Sequence, residues 1–470
     1  MLIRFSVQNY LSFFSEQTLN MIASADTRHP EHIIAATPDT KLLRATVFYG
    51  ANGAGKSNLV QALAFAQDLV LNGTKPKEEI PVRPFRLAAE DNPEPTKFEF
   101  DIFAEGRVYN YGFVANRTKV LEEWLFLGAG KREEALFERT TNGGDTVTVE
   151  AGSRLTRGKQ DAADYLAYVA KGTRPNQLFL YELRDKNYEN LNKETIKPVL
   201  AWFDETLQII EPESGYPNLA EAIHSDPQLA RFAGTYLCEA DTGVHSLEVK
   251  VSDVQQGISP LSVVLDCFGK AMAKAKGDRF YFDALAGEKV FLGKDKEGHE
   301  KFGTLRAVHK RRDGSDAAFG FAEESDGTRR LLHLLPALYH LRSKPHVLFI
   351  DEIDRSLHPL LSRQFLGFFL SSCSGCPSQL ILTTHETHLL DLDILRRDEI
   401  WFAEKKDGET RMYSLADFKI RPDLQVRKGY LNGRFGAIPF LGDFSKLCEE
   451  RTGGGNLPNG DDPPQTQTAQ

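Results

Sequence analysis

At 470 residues the chain is long enough for two or three domains, and its 41% hydrophobic and 26% charged residues fit an ordinary folded protein. A net charge of −9 argues against broad, non-specific coating of nucleic acid, which needs clustered Lys and Arg. No apolar run reaches the length of a membrane span, and the first residues lack a signal peptide's charged-then-apolar layout, so no membrane association and a cytoplasmic location are expected.

Leu2 to Val7 alternates apolar and polar, the period of a half-buried strand. Leu42 to Tyr49 is an apolar run of strand length. Gly50 to Ser57 is glycine-rich. Leu59, Leu63, Ala66 and Val70 then recur at helical spacing, and Asn72-Gly73 is a helix stop. The order predicted is strand, loop, helix.

Residues 75 to 130 read as β-rich, with alternating runs at 97–103 and 107–116 joined by a short hairpin connection. From about 155 to 245 the pattern is helical, at 161–172, 196–210 and 227–241. No heptad pattern persists, which excludes a long coiled-coil arm. Short strands return from 245 to 322. Within them Asp313-Gly314 marks a hairpin tip in the basic run His309–Gly314. From 323 to 415, helices alternate with two very apolar runs, 346–350 and 379–384, which suit a parallel sheet covered on both faces. Pro336 is expected to kink its helix. Cys373 and Cys376 form a single C-x-x-C with no second pair to complete a zinc set, so they read as packing residues. Residues 451–470 are rich in Gly, Pro, Gln and Asp and are expected to be disordered.

Three strand ends carry the chemistry. Gly50-Ala51-Asn52-Gly53-Ala54-Gly55-Lys56-Ser57 matches G-x-x-x-x-G-K-[ST] between a strand and a helix. Its glycines let backbone N–H groups cradle phosphates, and the helix adds its positive end. Lys56 is placed to reach the outer phosphates and the Ser57 hydroxyl to ligate Mg²⁺. The second strand ends in Asp351, a candidate metal ligand, and Glu352, a candidate base for the attacking water. The third ends in Thr383-Thr384-His385, at the sheet edge where open α/β sheets bind ligands. His385 is the candidate γ-phosphate partner, and His388 reads as a bystander. Just before the acidic strand, Ser325 and Gly327 open a helix, which makes that end a second phosphate-binding candidate.

The runs at 3–13, 50–58 (GANGAGKSN), 81–87, 324–331 (ESDGTRRL), 351–359 (DEIDRSLHP), 383–391 (TTHETHLLD) and 429–441 span most of the chain. Together they resemble the ABC-type ATPases of the SMC/RecF lineage, and within it the RloA/AbiL-type group that includes the ATPase of the PARIS anti-phage system. The resemblance implies an α/β fold: an ABC-type P-loop ATPase head with an N-terminal β-subdomain and a large α/β insertion. The implied layout is one half of the head at 1–130, a mostly helical insertion at 131–300 that binds a partner or trigger, the other half at 301–450, and the tail.

The resemblance further implies ATP and Mg²⁺ as cofactors and a homodimer or higher homo-oligomer that sandwiches ATP. Gly50, Asn52, Gly53, Ala54, Gly55, Lys56, Ser57, Asn58, Asp351, Glu352 and His385 come from one copy, and Ser325 and Gly327 from the other. Asp354 to His358 should lie on the dimer interface. Such ATPases control a separate effector, often a Toprim-type nuclease, in response to DNA or a phage protein. Two departures stand out. Asp326 replaces a glycine of the usual signature, implying slow or partner-stimulated hydrolysis. No coupling-loop glutamine is evident, since Gln67 falls on the P-loop helix. The alternatives are a RecF/SMC-like repair ATPase that binds DNA directly and, less favoured, a transporter ATPase subunit.

Overall fold

The N-terminal alternation forms strand β1 (Leu2–Gln8), with Phe5 and Val7 fully buried on one face. The computed structural model describes residues 1–439 apart from 89–93, 129–132, 157–158, 187–190, 192, 254–278, 286, 295–298, 373–375 and 420–424. The tail expected at 451–470 and Cys373 of the C-x-x-C lie outside the described residues, as do Phe440 and Leu441 of the last quoted run.

After β1 come β2 (Gln17–Asn20), β3 (Ile33–Thr37), β4 (Thr40–Leu43), β5 (Ala45–Tyr49) and helix α1 (Lys56–Asn72). Strands β6 (Thr96–Ala104), β7 (Arg107–Ala115), β8 (Val120–Leu127), β9 (Glu134–Thr141) and β10 (Val147–Ala151) follow. Helices α2 (Ser153–Thr156), α3 (Gln160–Gly172), α4 (Phe179–Asp185) and α5 (Lys193–Ala201) lead to β11 (Leu207–Ile210). Then come α6 (Leu219–Ser225), α7 (Pro227–Glu239), β12 (Val244–Asp253), β13 (Arg279–Leu285), β14 (Glu288–Lys294), β15 (Glu300–Lys310) and β16 (Asp316–Gly320). The last part holds α8 (Asp326–His340), β17 (Val347–Ile350), α9 (Pro359–Ser372), β18 (Gln379–Thr383), β19 (Ile400–Lys406), β20 (Glu409–Ser414) and α10 (Val426–Leu431).

Among the described residues the central sheet has the order β11-β17-β18-β5-β19-β20, parallel except for β20. Every residue of β5, β17 and β18 is buried, as continuous apolar strands in a covered parallel sheet should be. Successive side chains point to opposite faces. Phe48, Val347, Phe349 and Ile381 therefore join one core with α1 and the antiparallel sheet β10-β9-β8-β7-β6-β1-β2. Val47, Tyr49, Leu348, Ile350 and Leu382 join a second core with α8 and α9. Gln379 bridges the layers: its amide accepts from Leu2 N at 2.6 Å and donates to the carbonyls of Leu2 and Leu43 at 3.0 Å each. A third sheet, β12-β15-β14-β13 with β16 on β15, carries the expected hairpin at Arg311–Ser315, where Gly314 takes φ +84°.

The structure departs from the sequence reading in two places. The run Leu42–Tyr49 is two strands. Arg44, buried, separates β4, which pairs with β3, from β5, which enters the central sheet. Both pieces are covered, so hydropathy does not register the change of partner. The expected helical insertion at 131–300 is also not one block. β9 and β10 extend the first antiparallel sheet, and Leu207–Ile210 leaves the helical stretch to run parallel to β17. Its Ile209-Ile210 pair suits a strand as well as the end of an amphipathic helix. Helix α8 runs from Asp326 to His340 with Pro336 inside it.

Candidate active site

The P-loop turns from β5 into α1 through two close approaches. A Cβ at Gly50 would sit 2.3 Å from the Ala403 carbonyl oxygen, and one at Gly55, where φ is +103°, would sit 2.0 Å from Thr410 Oγ1. Glycine is the side chain that fits both places. Thr410 then fastens the loop, its hydroxyl bonding the Ala54 carbonyl at 2.8 Å and Ser12 Oγ at 2.6 Å. Asn58 Nδ2 donates to the same Ser12 Oγ at 2.7 Å. At Gly53 (φ +75°) the missing side chain leaves open space, so the backbone there is free for a ligand.

Asn52, Gly53, Gly55, Lys56, Ser57 and Asn58 line a cavity of about 400 Å³ together with Glu352, Asp354, Arg355 and His385. Three segments far apart in sequence meet here because β5, β17 and β18 are adjacent and parallel, so their C-terminal ends open on one edge. Gly50 and Ala54 are buried in the loop's support and do not line the cavity.

Lys56 folds back onto the loop, donating to the carbonyls of Gly50 at 2.8 Å and Ala51 at 3.3 Å, with Nδ1 of His385 at 3.2 Å. Burial lowers its amine pKa to about 8, against the opposing pull of the Asp351, Asp354 and Glu352 carboxylates. His385 is likewise held below the usual imidazole value, first by burial and then by Lys56. Its Nε2 lies 4.0 Å from Glu352 Oε1, and its backbone N–H donates to Asp354 Oδ2 at 3.2 Å.

Behind the cavity, Asp351 is 3% exposed. One hydroxyl organises the acidic pair. Thr383 Oγ1 donates to Asp351 Oδ1 at 2.5 Å and accepts from Glu352 N at 2.8 Å. Glu352 takes φ +50°, a left-handed backbone that a non-glycine adopts at a cost of about 1–2 kcal/mol. The Thr383 contact and the bond from Ile353 N to Thr383 O at 3.0 Å hold that turn. Arg330, on the first turns of α8, donates to the Asp351 carbonyl at 3.0 Å and closes the other side.

The donor set fits a nucleotide and a hard dication. The loop offers open backbone at Gly53, a lysine and the Ser57 hydroxyl. The sheet edge offers the Asp351 carboxylate, and Asp354 Oδ1 is buried without a hydrogen-bond partner among the described residues. Oxygen ligands of this kind suit Mg²⁺.

Ser325 and Gly327 do not line this cavity. Ser325 caps α8, its hydroxyl accepting from Thr328 N at 3.1 Å. A Cβ at Gly327 would sit 2.8 Å from the Ser356 carbonyl oxygen, so the start of α8 packs on the turn after Glu352. Gln67 donates to the carbonyls of Phe203 and Leu207 at 2.6 and 2.9 Å, an anchoring role that keeps it from the cavity. His388 does not line the cavity either, and pairs with Glu386 at 3.0 Å. Reading along the chain did not find Thr383's second role, Thr410, Ser12 or Arg330. Arg330, Thr383 and Ser12 lie within the quoted runs 324–331, 383–391 and 3–13, but these contacts are made only when distant segments meet in the fold.

The fold is similar to solved SMC heads at low identity. The SMC head domain from Thermotoga maritima is 11% identical, with 89% of this chain and 99% of that one covered and a TM-score of 0.37. An SMC head bound to the C-winged helix domain of ScpA is 12% identical, with 88% and 97% covered and a TM-score of 0.42. An SMC head with an extended coiled coil bound to the C-terminal domain of ScpA, from Pyrococcus furiosus, is 12% identical, with 88% and 96% covered and a TM-score of 0.34. No curated protein matches the chain. Among the described residues, no helix is long and apolar enough to cross a membrane. The family described as "AAA domain, putative AbiEii toxin, Type IV TA system" matches residues 45–151 and 239–391, more than half of the chain and both sides of the cavity. The chain belongs to that family of AAA-domain proteins, with its P-loop at the C-terminal edge of a largely parallel sheet.

Proposed function

We propose that the protein binds and hydrolyses ATP with Mg²⁺, and that two copies close over the nucleotide as a clamp. One observation carries this reading: Lys56, Glu352 and His385 share one cavity, while Ser325 and Gly327 sit at a helix start outside it. The start of that helix, with Ser325 and Asp326 exposed at the surface, suits a nucleotide held by a second copy.

In this reading the P-loop backbone, Lys56 and Asn58 bind the phosphates. Ser57 and Asp351 hold the metal, which neutralises phosphate charge. Glu352 orients and deprotonates the attacking water, and His385, kept neutral, meets the outer phosphate. Asp326, in place of a signature glycine, makes turnover slow until a partner binds. The motif resemblance supports a role in anti-phage defence through a separately encoded effector nuclease, with residues 131–300 receiving the trigger.

The test is light-scattering mass of the wild type and of Glu352→Gln, with and without ATP and Mg²⁺, alongside Ser325→Arg. ATP-dependent pairing in Glu352→Gln that Ser325→Arg prevents supports the clamp. Mass indifferent to nucleotide, with normal turnover in Ser325→Arg, replaces it with a single-site NTPase. Thermal melting of Ser325→Arg accounts for the lost helix cap, worth about 1 kcal/mol.

A further inference from the structure

A second cluster of chemistry lies away from the P-loop, in the short turn His29-Pro30-Glu31-His32 between β2 and β3. Nδ1 of His29 stands 3.4 Å from Glu31 Oε1, and Nε2 of His32 stands 3.8 Å from the same oxygen. All three ligand atoms lie within 4.8 Å of one another. Two ligands bound tetrahedrally at about 2.0–2.1 Å stand about 3.3 Å apart, so the spacing needs little adjustment to hold one ion.

The outward contacts of the two rings decide what faces inward. Nδ1 of His32 meets both carboxylate oxygens of Glu399, at 3.1 and 3.0 Å, and that carboxylate is fully buried. Nε2 of His29 meets the Leu392 carbonyl at 3.0 Å. The Leu392 carbonyl can only accept, so His29 Nε2 carries its ring proton, and the Glu399 carboxyl holds His32 by its Nδ1. That leaves His29 Nδ1 and His32 Nε2, the two ring nitrogens nearest Glu31, as the atoms available to an ion. A metal-bound imidazole backed by a carboxylate or a carbonyl is the usual supporting arrangement of metal sites.

Two further features agree. His29 holds φ +46°, a left-handed backbone unusual outside glycine, and the next residue is a proline. Glu31 is 56% exposed while His32 is 4% exposed. His29 also borders a cavity of about 1070 Å³, which supplies a path for entry.

We infer that His29, Glu31 and His32 form a site for Zn²⁺ or a similar borderline dication, with one coordination position open to solvent. Two imidazoles and one carboxylate select this class over Mg²⁺, which favours oxygen ligands. The ion ties the 29–32 turn, through Leu392 and Glu399, to the segment that follows His385. The site is separate from the nucleotide cavity.

The test uses the full chain, stripped with chelator and dialysed against Zn²⁺ in the presence of excess ATP and Mg²⁺ to occupy the P-loop. Bound zinc is read by elemental analysis, and Co²⁺ substitution by visible absorption. Glu31→Gln and His29→Asn are the variants, because His32 is buried and its replacement endangers folding. Expected is one zinc per chain in the wild type, weakened about tenfold or more in each variant, with unchanged circular dichroism and unchanged ATP binding. A wild-type chain that retains no zinc overturns the proposal, and so does either variant binding as tightly as the wild type. In that outcome a shared proton, not a metal, joins the cluster.

Discussion

Lys56 Nζ stands 3.2 Å from Nδ1 of His385, so the P-loop cation and the sheet-edge imidazole meet before any phosphate lies between them. The pair needs one proton at the contact, and near neutral pH the lysine supplies it. The amine, lowered to about 8, loses that proton within an accessible range. Nucleotide affinity is therefore expected to fall as pH rises through about 8, by up to tenfold per further unit, because the phosphates require the charged lysine. Lys56→Met should bind weakly at every pH with no such slope. Calorimetric titration across this range checks both; a flat wild-type profile would refute the assignment.

His385 gives the opposite limb. Its folded value is depressed below 6.5, so in acid the unfolded chain takes up this proton first. The contribution is absent above about pH 6.5 and appears as a loss of stability as pH falls below it. His385→Gln should lose less stability than the wild type on acidification from about pH 7 to about pH 5. Paired urea denaturation at the two pH values measures the difference.

Glu352→Gln should keep ATP bound while turnover falls about 10²–10⁴-fold, the range for a positioned base. Single-turnover hydrolysis separates this from slower product release. Full activity would remove Glu352 from the proposed mechanism.

Thr383→Val should weaken Mg²⁺-dependent nucleotide binding by about 10–100-fold, because its hydroxyl orients Asp351 and receives Glu352 N–H. Stability should fall by about 1–3 kcal/mol as both groups lose a buried partner. Thr383→Ser retains the hydroxyl and should recover most of the metal dependence. A Mg²⁺ titration with each variant makes the comparison.

Gly55→Ala should reduce nucleotide affinity about tenfold or more, since φ +103° and the approach to Thr410 Oγ1 both oppose a methyl group. Adding Thr410→Ala removes the closest contact but leaves Ser12 Oγ at 2.8 Å, the Cβ of residue 410 at 2.9 Å and the backbone strain, so it should restore only part of the affinity. Affinity that returns to wild type in the double variant would show the backbone strain to be unimportant.

The P-loop was legible because its glycines, Lys56 and Ser57 are contiguous and framed by a strand and a helix. The acidic pair and His385 were legible because each ends an apolar strand. Their convergence depends on the adjacency of β5, β17 and β18, which no local pattern encodes. Thr383 looked like the end of a strand, and its hydroxyl gains meaning only when β17 lies alongside. Arg44 was invisible as a break, because both strands it separates are buried. The 131–300 stretch was misread for a related reason: β9, β10 and β11 complete sheets begun elsewhere in the chain. The pairing of His29 and His32 with Leu392 and Glu399 spans more than 360 residues, beyond the reach of any spacing rule.

Arg330 binds the Asp351 carbonyl, and Gly327, one turn earlier, leaves room for the carbonyl of Ser356. The helix start that a second copy would offer to its neighbour's nucleotide is thus bolted to the acidic strand of its own. In the proposed pair the two sites would be geared together, so that filling one alters the other. ATP hydrolysis should then rise sigmoidally with concentration. A mixed pair carrying Lys56→Ala in one copy should lose well over half of its turnover, a cooperativity built into the chain by two backbone contacts.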